Sequence, residues 1–445
     1  MKYYITFGMV LLFTVSNIYA TPRSLSDDVD LLWVCIASFL VFFMQAGFAF
    51  IEAGFTRTKN TVNILMKNLL DLSTGSIGFW LVGFSIMFGV HLIDDFGIGE
   101  IKFADTLLTN EDGKADPSKY GLFLYQMMFA ATSATIVSGA MAERTKFVSY
   151  ILFSVLMTIL IYPIFGSFAW SGLFQKENVG FLEKIGFIDF AGSTVVHSIG
   201  GWAGLAGTIV LGARMGRYQP NGMIMPILGH NMSMATLGTF ILWFGWYGFN
   251  CGSTGSIAGG TFAIIAVVTT MSAATGAISA MIVSWILFTK PDIGITLNGA
   301  LAGLVAITAG CNNVGITSSI IIGFFAGILA VLGVVVLDKL KIDDPVGAIP
   351  VHALNGLWGT IAVGLFANSN YGGGPNGLFF GGGLDLLLVQ LAGSAVAFLW
   401  SFSISFLFFI ILKKTIGLRV TEDEEITGLD LLEHGNEAYP VSNYY

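Results

Sequence analysis

Asp189-Phe-Ala-Gly192-Ser-Thr-Val-Val196-His197 and Asp344-Pro-Val-Gly347-Ala-Ile-Pro-Val351-His352 are two copies of one pattern, D-x-x-G-x-x-x-V-H. Each copy is followed by glycine four and seven residues past its histidine, at Gly201 and Gly204 and at Gly356 and Gly359. Matching positions in one register mark an internal repeat, a feature of membrane transporters. The surroundings are apolar. Of the 445 residues, 55% are hydrophobic and 11% charged, and the mean hydropathy is +0.78. Soluble domains carry about 25% charged residues, so a soluble enzyme and a disordered chain are excluded. The net charge of −8 leaves no basic footprint for nucleic acid. Long unbroken apolar runs lack the alternation of an outer-membrane barrel.

Eleven apolar runs follow one another, at about 31–54, 63–90, 121–142, 147–172, 190–213, 226–250, 257–289, 294–312, 314–337, 346–367 and 383–412. The first copy of the pattern opens the fifth run and the second opens the tenth. Each half therefore holds five spans. An odd number inverts the second half, and the fold class is an all-α membrane protein. It is a five-plus-five inverted repeat plus one extra helix, with its site at the repeat interface near mid-membrane. Positive charge sets the orientation. Thirteen of the 20 Lys and Arg fall on the inner side when the mature N-terminus is outside, and six on the outer side. The C-terminus is then cytoplasmic.

The ends carry their own signals. Residues 1–20 have the form of a signal peptide, with Lys2, an apolar stretch from Ile5 to Val15 and the small Ala20 before the cut. Residues 21–413 form the membrane domain. Residues 414–445 form a cytoplasmic tail, with seven acids and no Lys or Arg from Val420 onward. The plain reading of such an acidic stretch is a solvated, partly disordered tail.

The depth of the two histidines follows from helix rise. Each lies eight residues past its aspartate, or about 12 Å of helix. Starting from opposite faces of a core about 30 Å thick, they reach nearly the same depth. Two neutral imidazoles facing one another can share one N–H···N bond and keep one donor and one acceptor for a guest. A low-dielectric slot disfavours a bare cation and favours a small neutral hydrogen-bonding molecule. His91, His230 and His434 fall at span ends or in the tail and are expected to be interfacial or solvated. Cys35, Cys251 and Cys311 are far apart in apolar runs and are expected as buried free thiols. No metal site or cofactor is expected, and no nucleophile–base pair or phosphate loop suggests an enzyme. Aromatic side chains gather near the histidines: Phe129, Trp170 and the run Trp243-Phe-Gly-Trp246-Tyr247-Gly-Phe249. Aromatic faces attract cations.

These residues resemble the ammonium transporter family (Amt/Mep/Rh), over about Val29 to Pro440. The fifth-run and tenth-run patterns, Phe249-Asn250-Cys-Gly252-Ser253, and Gly428-Leu429-Asp430 through His434-Gly435 carry the resemblance. It implies an eleven-helix homotrimer in the inner (plasma) membrane with one pore per subunit, serving nitrogen uptake. Phe129, Trp170 and Ser253 would recruit ammonium at the outer mouth. Phe129 and Phe249 would gate the pore, and His197 and His352 would line it. Asp189 would be structural and electrostatic. The tail would pack on a neighbouring subunit, and a PII-type signalling protein would bind the cytoplasmic face. The expected function is ammonium recruitment, deprotonation and ammonia passage with separate, electrogenic proton transfer, and the alternative is an ammonium sensor with little or no conduction. Two motifs depart from the family pattern, at Trp170-Ser171-Gly172 and Thr308-Ala-Gly310-Cys311.

Overall fold

The computed structural model describes residues 23–93, 96–174 and 179–440. The signal-peptide expectation for residues 1–20 lies outside the described residues. Each apolar run falls on a helix: α1 Leu25–Phe55, α2 Thr58–Phe88, α3 Pro117–Ala140, α4 Phe147–Leu173, α5 Ser193–Leu211, α6 Met232–Gly252, α7 Ala258–Phe288, α8 Ile293–Thr308, α9 Ile316–Lys339, α10 Ile349–Phe366 and α11 Asp385–Thr415. Among the described residues, nine are long and apolar enough to cross a membrane. The two that fall short are α6 and α8. At 16 residues, α8 spans only about 24 Å. The chain is thus a multi-pass membrane protein. Outside the long helices, a two-stranded ribbon pairs His91–Ile93 with Ile98–Gly99.

Local sequence explains where helices begin. Ser24 and Asp27 form a capping box at α1. Asp116 caps α3, with Pro117 at the first position, where a missing N–H costs nothing. Where α5 and α10 begin, a carboxylate three residues before a left-handed glycine takes over the capping. Asp189 accepts from the amides of Gly192, Thr194 and Val195 at 2.8–2.9 Å. Asp344 accepts from Val346, Gly347 and Ile349 at 2.7–3.3 Å. Gly192 has φ 111° and Gly347 φ 76°, a region L side chains rarely enter. Both helices then open with a π-helical turn, Ser193–Ser198 and Ile349–Leu354, and each turn contains its histidine. Such wide turns recur at functional sites.

The two copies pack on each other reciprocally. Ile199–Leu211 lies against Ile349–Leu354, and Asn355–Phe366 lies against Ser193–Ser198. That exchange requires the two helices to run antiparallel. A Cβ on Gly201 would come within 2.3 Å of the Ala353 amide nitrogen, and one on Gly356 within 2.4 Å of the Ser193 carbonyl. The missing side chains let the helices approach until their histidines meet.

The described part of the tail, to Pro440, is ordered. Glu422–Thr427 and Leu429–His434 are short helices docked on the chain's own loops. Asp430 accepts from the amides of Val62 and Asn63 at the start of α2, and Glu433 from the amide of Phe147 at the start of α4. Both acids thereby satisfy orphan donors at helix N-termini. His434 is half-buried against Phe147 and lies 3.0 Å from Asn63 Nδ2. His230 spans Thr56 O and the Tyr439 hydroxyl. Neither is simply solvated, because the tail folds back over these loops.

Candidate functional site

A cleft of about 740 Å³ opens at the end of the bundle that carries residue 23. Phe129, Trp170, Ser253 and Asp189 line it, together with Tyr125 and Gln126. Trp170 Nε1 donates to the Asp189 carbonyl at 2.7 Å, so the indole edge is committed and its ring is 5% exposed. Ser253 Oγ donates to the Phe249 carbonyl at 2.9 Å and lies 3.1 Å from the Tyr125 hydroxyl. A hydroxyl that donates to a carbonyl retains lone pairs for an incoming N–H. Asp189 points its carboxylate into three backbone amides rather than into the cleft. It shapes the start of α5.

Phe129 closes the cleft floor. Its ring stacks on Phe249 at 3.9 Å between centroids and 13° between planes, and meets Trp170 edge-on at 6.1 Å. The two phenyl rings are 1% and 0% exposed. A stack this close has no room for a guest between the rings, so passage requires a ring to turn.

Directly beyond lies His197, its ring 5.4 Å from Phe249 and 5.0 Å from Trp246. Trp246 is held by its own hydrogen bond from Nε1 to Thr308 Oγ1 at 2.9 Å. The Nδ1 atoms of His197 and His352 are 3.2 Å apart. Such a pair shares one proton between two nitrogens, so one ring is the donor and the other the acceptor. His197 Nε2 is buried without a partner. An orphaned polar atom in an apolar slot is costly unless a guest satisfies it. Beyond His352, whose ring is 6.1 Å from that of Phe48, a small cavity is lined by Phe48, Ile51, Glu52, Phe55, Asn298 and His352.

Most of the residues expected from sequence thus follow one another by contact: Trp170 meets Phe129, Phe129 stacks on Phe249, Phe249 meets His197, and His197 meets His352. Tyr125, Gln126 and Glu52 were missed. Tyr125 and Gln126 lie within four residues of Phe129, on the turn of α3 that faces the same cleft, and that spacing was the available signal. Glu52 stands in the apolar run of α1, and an acid there is itself a signal.

At the other end, charges interlock. Arg214 forks onto Asp343 at 2.8 and 2.9 Å and reaches Glu143 at 2.6 Å. Arg57 binds the other Glu143 oxygen at 3.0 Å. Burial would raise the carboxyl of Glu143, but Arg214 and Arg57 outweigh it and hold it down to about 2. Asp343 is likewise held well below the usual carboxylate range, burial being overcome by Arg214 and Arg144.

Residues 32–439 match the profile described as the Ammonium Transporter Family. Ammonium transporter Amt2 of Archaeoglobus fulgidus is 47% identical over 422 residues, covering 93% of this chain and 88% of that protein. A solved structure described as "Sensor Amt Protein" superposes with a TM-score of 0.86 at 42% identity, covering 92% of this chain and 99% of the other. Mep2 of Candida albicans gives a TM-score of 0.80 at 29% identity, covering 94% and 93% of the two chains. The cleft, the stacked rings and the paired histidines therefore stand in a chain that belongs to the ammonium transporter family.

Proposed function

We propose that this protein conducts ammonium across the plasma membrane, with eleven spans, the residue-23 end outside and the tail in the cytoplasm. One observation carries the proposal: the stacked Phe129–Phe249 floor leads directly to the joined His197–His352 pair, whose free Nε2 is buried and unpartnered. Ammonium enters the cleft, held by the Trp170 and Phe129 rings and by the Ser253 oxygen. Cation–π attraction of this kind contributes about 0.5–2 kcal/mol. The stack then forces dehydration, and a buried cation in that medium sheds a proton rather than its surroundings bearing a full charge. Ammonia crosses as a hydrogen-bonding neutral, using the spare donor and acceptor of the histidine pair. The proton follows through the same pair. Potassium donates no hydrogen bond and has no proton to give, so it stops at the stack. The protein assembles as a homotrimer with one pore per subunit, and a PII-type protein meets its cytoplasmic face. The ordered tail relays that contact, since it already ties α2 and α4 together.

A sensor that binds without sustained conduction is the second reading. The shut stack and the likeness to a protein described as a sensor favour it. Ammonium pulses on proteoliposomes at several protein densities separate the two. A current whose decay slows as density falls shows transport. A transient with density-independent decay shows binding alone and overturns the conducting reading.

A further inference from the structure

Phe48, Glu52 and Phe55 share one face of α1 at spacings of four and three residues and all line the small cavity under His352. The cavity's free volume of about 20 Å³ admits the centre of one molecule of water or ammonia size. Glu52 is 2% exposed. An acid buried within a membrane-spanning helix is costly and marks an ion or proton route. No salt bridge reaches Glu52 among the described residues. Its Oε2 accepts from Asn68 Nδ2 at 3.1 Å, and Asn68 Oδ1 accepts from the Thr135 hydroxyl at 2.9 Å, which fixes the amide's orientation. Two more buried ionisable groups stand behind it on α2. Asp71 accepts from the Tyr150 hydroxyl at 2.6 Å, and the Lys67 ammonium lies 5.4 Å from the Tyr150 ring. One ammonium and two carboxyls balance when one of the two acids holds a proton. Of the two acids, Asp71 adjoins the Tyr150–Lys67 contact and Glu52 lines the cavity.

We propose that Glu52 is the acid that returns a proton to ammonia on the tail side of His352, and that the cavity between them is an exit site for the ammonium formed. The inference rests on the conducting reading above. Ammonia leaving His352 uses its lone pair to take the Glu52 proton. An N–H bond forms, the O–H bond breaks, and its electron pair stays on the carboxylate. The ammonium product rests against that carboxylate and the faces of Phe48 and Phe55, then leaves toward the tail end. Glu52 is reloaded by the proton that the incoming ammonium shed at the stack and that crossed the histidine pair. One ammonium and one charge move per cycle.

The test is the current of E52Q and E52D in proteoliposomes beside the unsubstituted protein. E52Q keeps volume and an acceptor for Asn68 but has no transferable acid proton. Its sustained ammonium current is expected to fall at least about tenfold, toward the ~100-fold typical of a lost proton-transfer group. Its fast transient from cleft binding should remain, which also shows that the variant folds. E52D, which retains an acid, should restore most of the current. Undiminished sustained current in E52Q overturns the role of Glu52 and leaves the conducting reading standing. An E52D as impaired as E52Q shows that shape rather than the acid matters, and also overturns it. No sustained current in the unsubstituted protein overturns the conducting reading and the exit site together.

Discussion

The two copies of D-x-x-G-x-x-x-V-H share a scaffold and differ in what surrounds it. Both aspartates cap with three backbone bonds, both glycines turn left-handed, and both histidines lie in a π-helical turn. Yet the Asp189 copy opens on a cleft of about 740 Å³ with Trp170, Phe129 and Ser253. The Asp344 copy leads to a cavity of about 20 Å³ holding Glu52. Asp344 also follows Asp343, which is locked to Arg214. Inversion sets the backbone and the depth of the histidines. The neighbouring helices α1, α3 and α4 set the chemistry, with aromatic rings and a hydroxyl at one face and a buried acid at the other, which the proposed function reads as capture and release.

Breaking the shared centre should have the largest effect. H197L and H352L each strand the other imidazole. Losing a buried partner costs about 1–3 kcal/mol, and ~1.4 kcal/mol is a factor of ten. Each variant should therefore change the ammonium-to-potassium current ratio by about tenfold, measured on the same proteoliposomes. A ratio unchanged in either would remove that histidine from the filter.

The caps come next. D189A and D344A each leave three amides unsatisfied in a low-dielectric setting, and each should cost about 3 kcal/mol. Matching drops in thermal unfolding temperature would show equal structural roles. A much larger drop for D189A alone would show that its end depends on the cap for more than backbone geometry.

Smaller effects are expected from G201A and G356A, whose added methyls meet backbone at 2.3 and 2.4 Å. Overpacking of this kind costs about 1–3 kcal/mol. If the packing is reciprocal, the two losses should be alike and should not sum in the double variant, because one separation relieves both. Additive losses would separate the two contacts.

Acid should affect mainly the tail end. Glu143 and Asp343 are held below their unfolded values. A depressed carboxyl contributes stability that is full above the unfolded pKa near 4 and lost as pH falls toward the folded value. Stability in detergent should therefore change little from pH 7 to 5 on their account and fall below about pH 4. R214Q should flatten that fall. A slope in R214Q as steep as in the unsubstituted protein would locate the acid-labile groups elsewhere.

Much of this was legible beforehand because it is one-dimensional. Apolar run length marks the helices, and eight residues of rise from Asp189 and Asp344 place His197 and His352 at one depth. The repeat in register implies the inversion, and the family motif names Phe129, Trp170, Ser253 and Phe249. What depends on the rotation of helices about their axes was not legible. The 3.9 Å ring stack, the 3.2 Å Nδ1 separation, the fold-back of the tail onto Asn63 and Phe147, and the place of Glu52 under His352 each bring together residues from different helices. Sequence thus determined membrane class, repeat and depth, since these follow from composition and rise along one chain axis. Only the tertiary structure decided which side chains face one another, since that depends on close packing among helices distant in sequence.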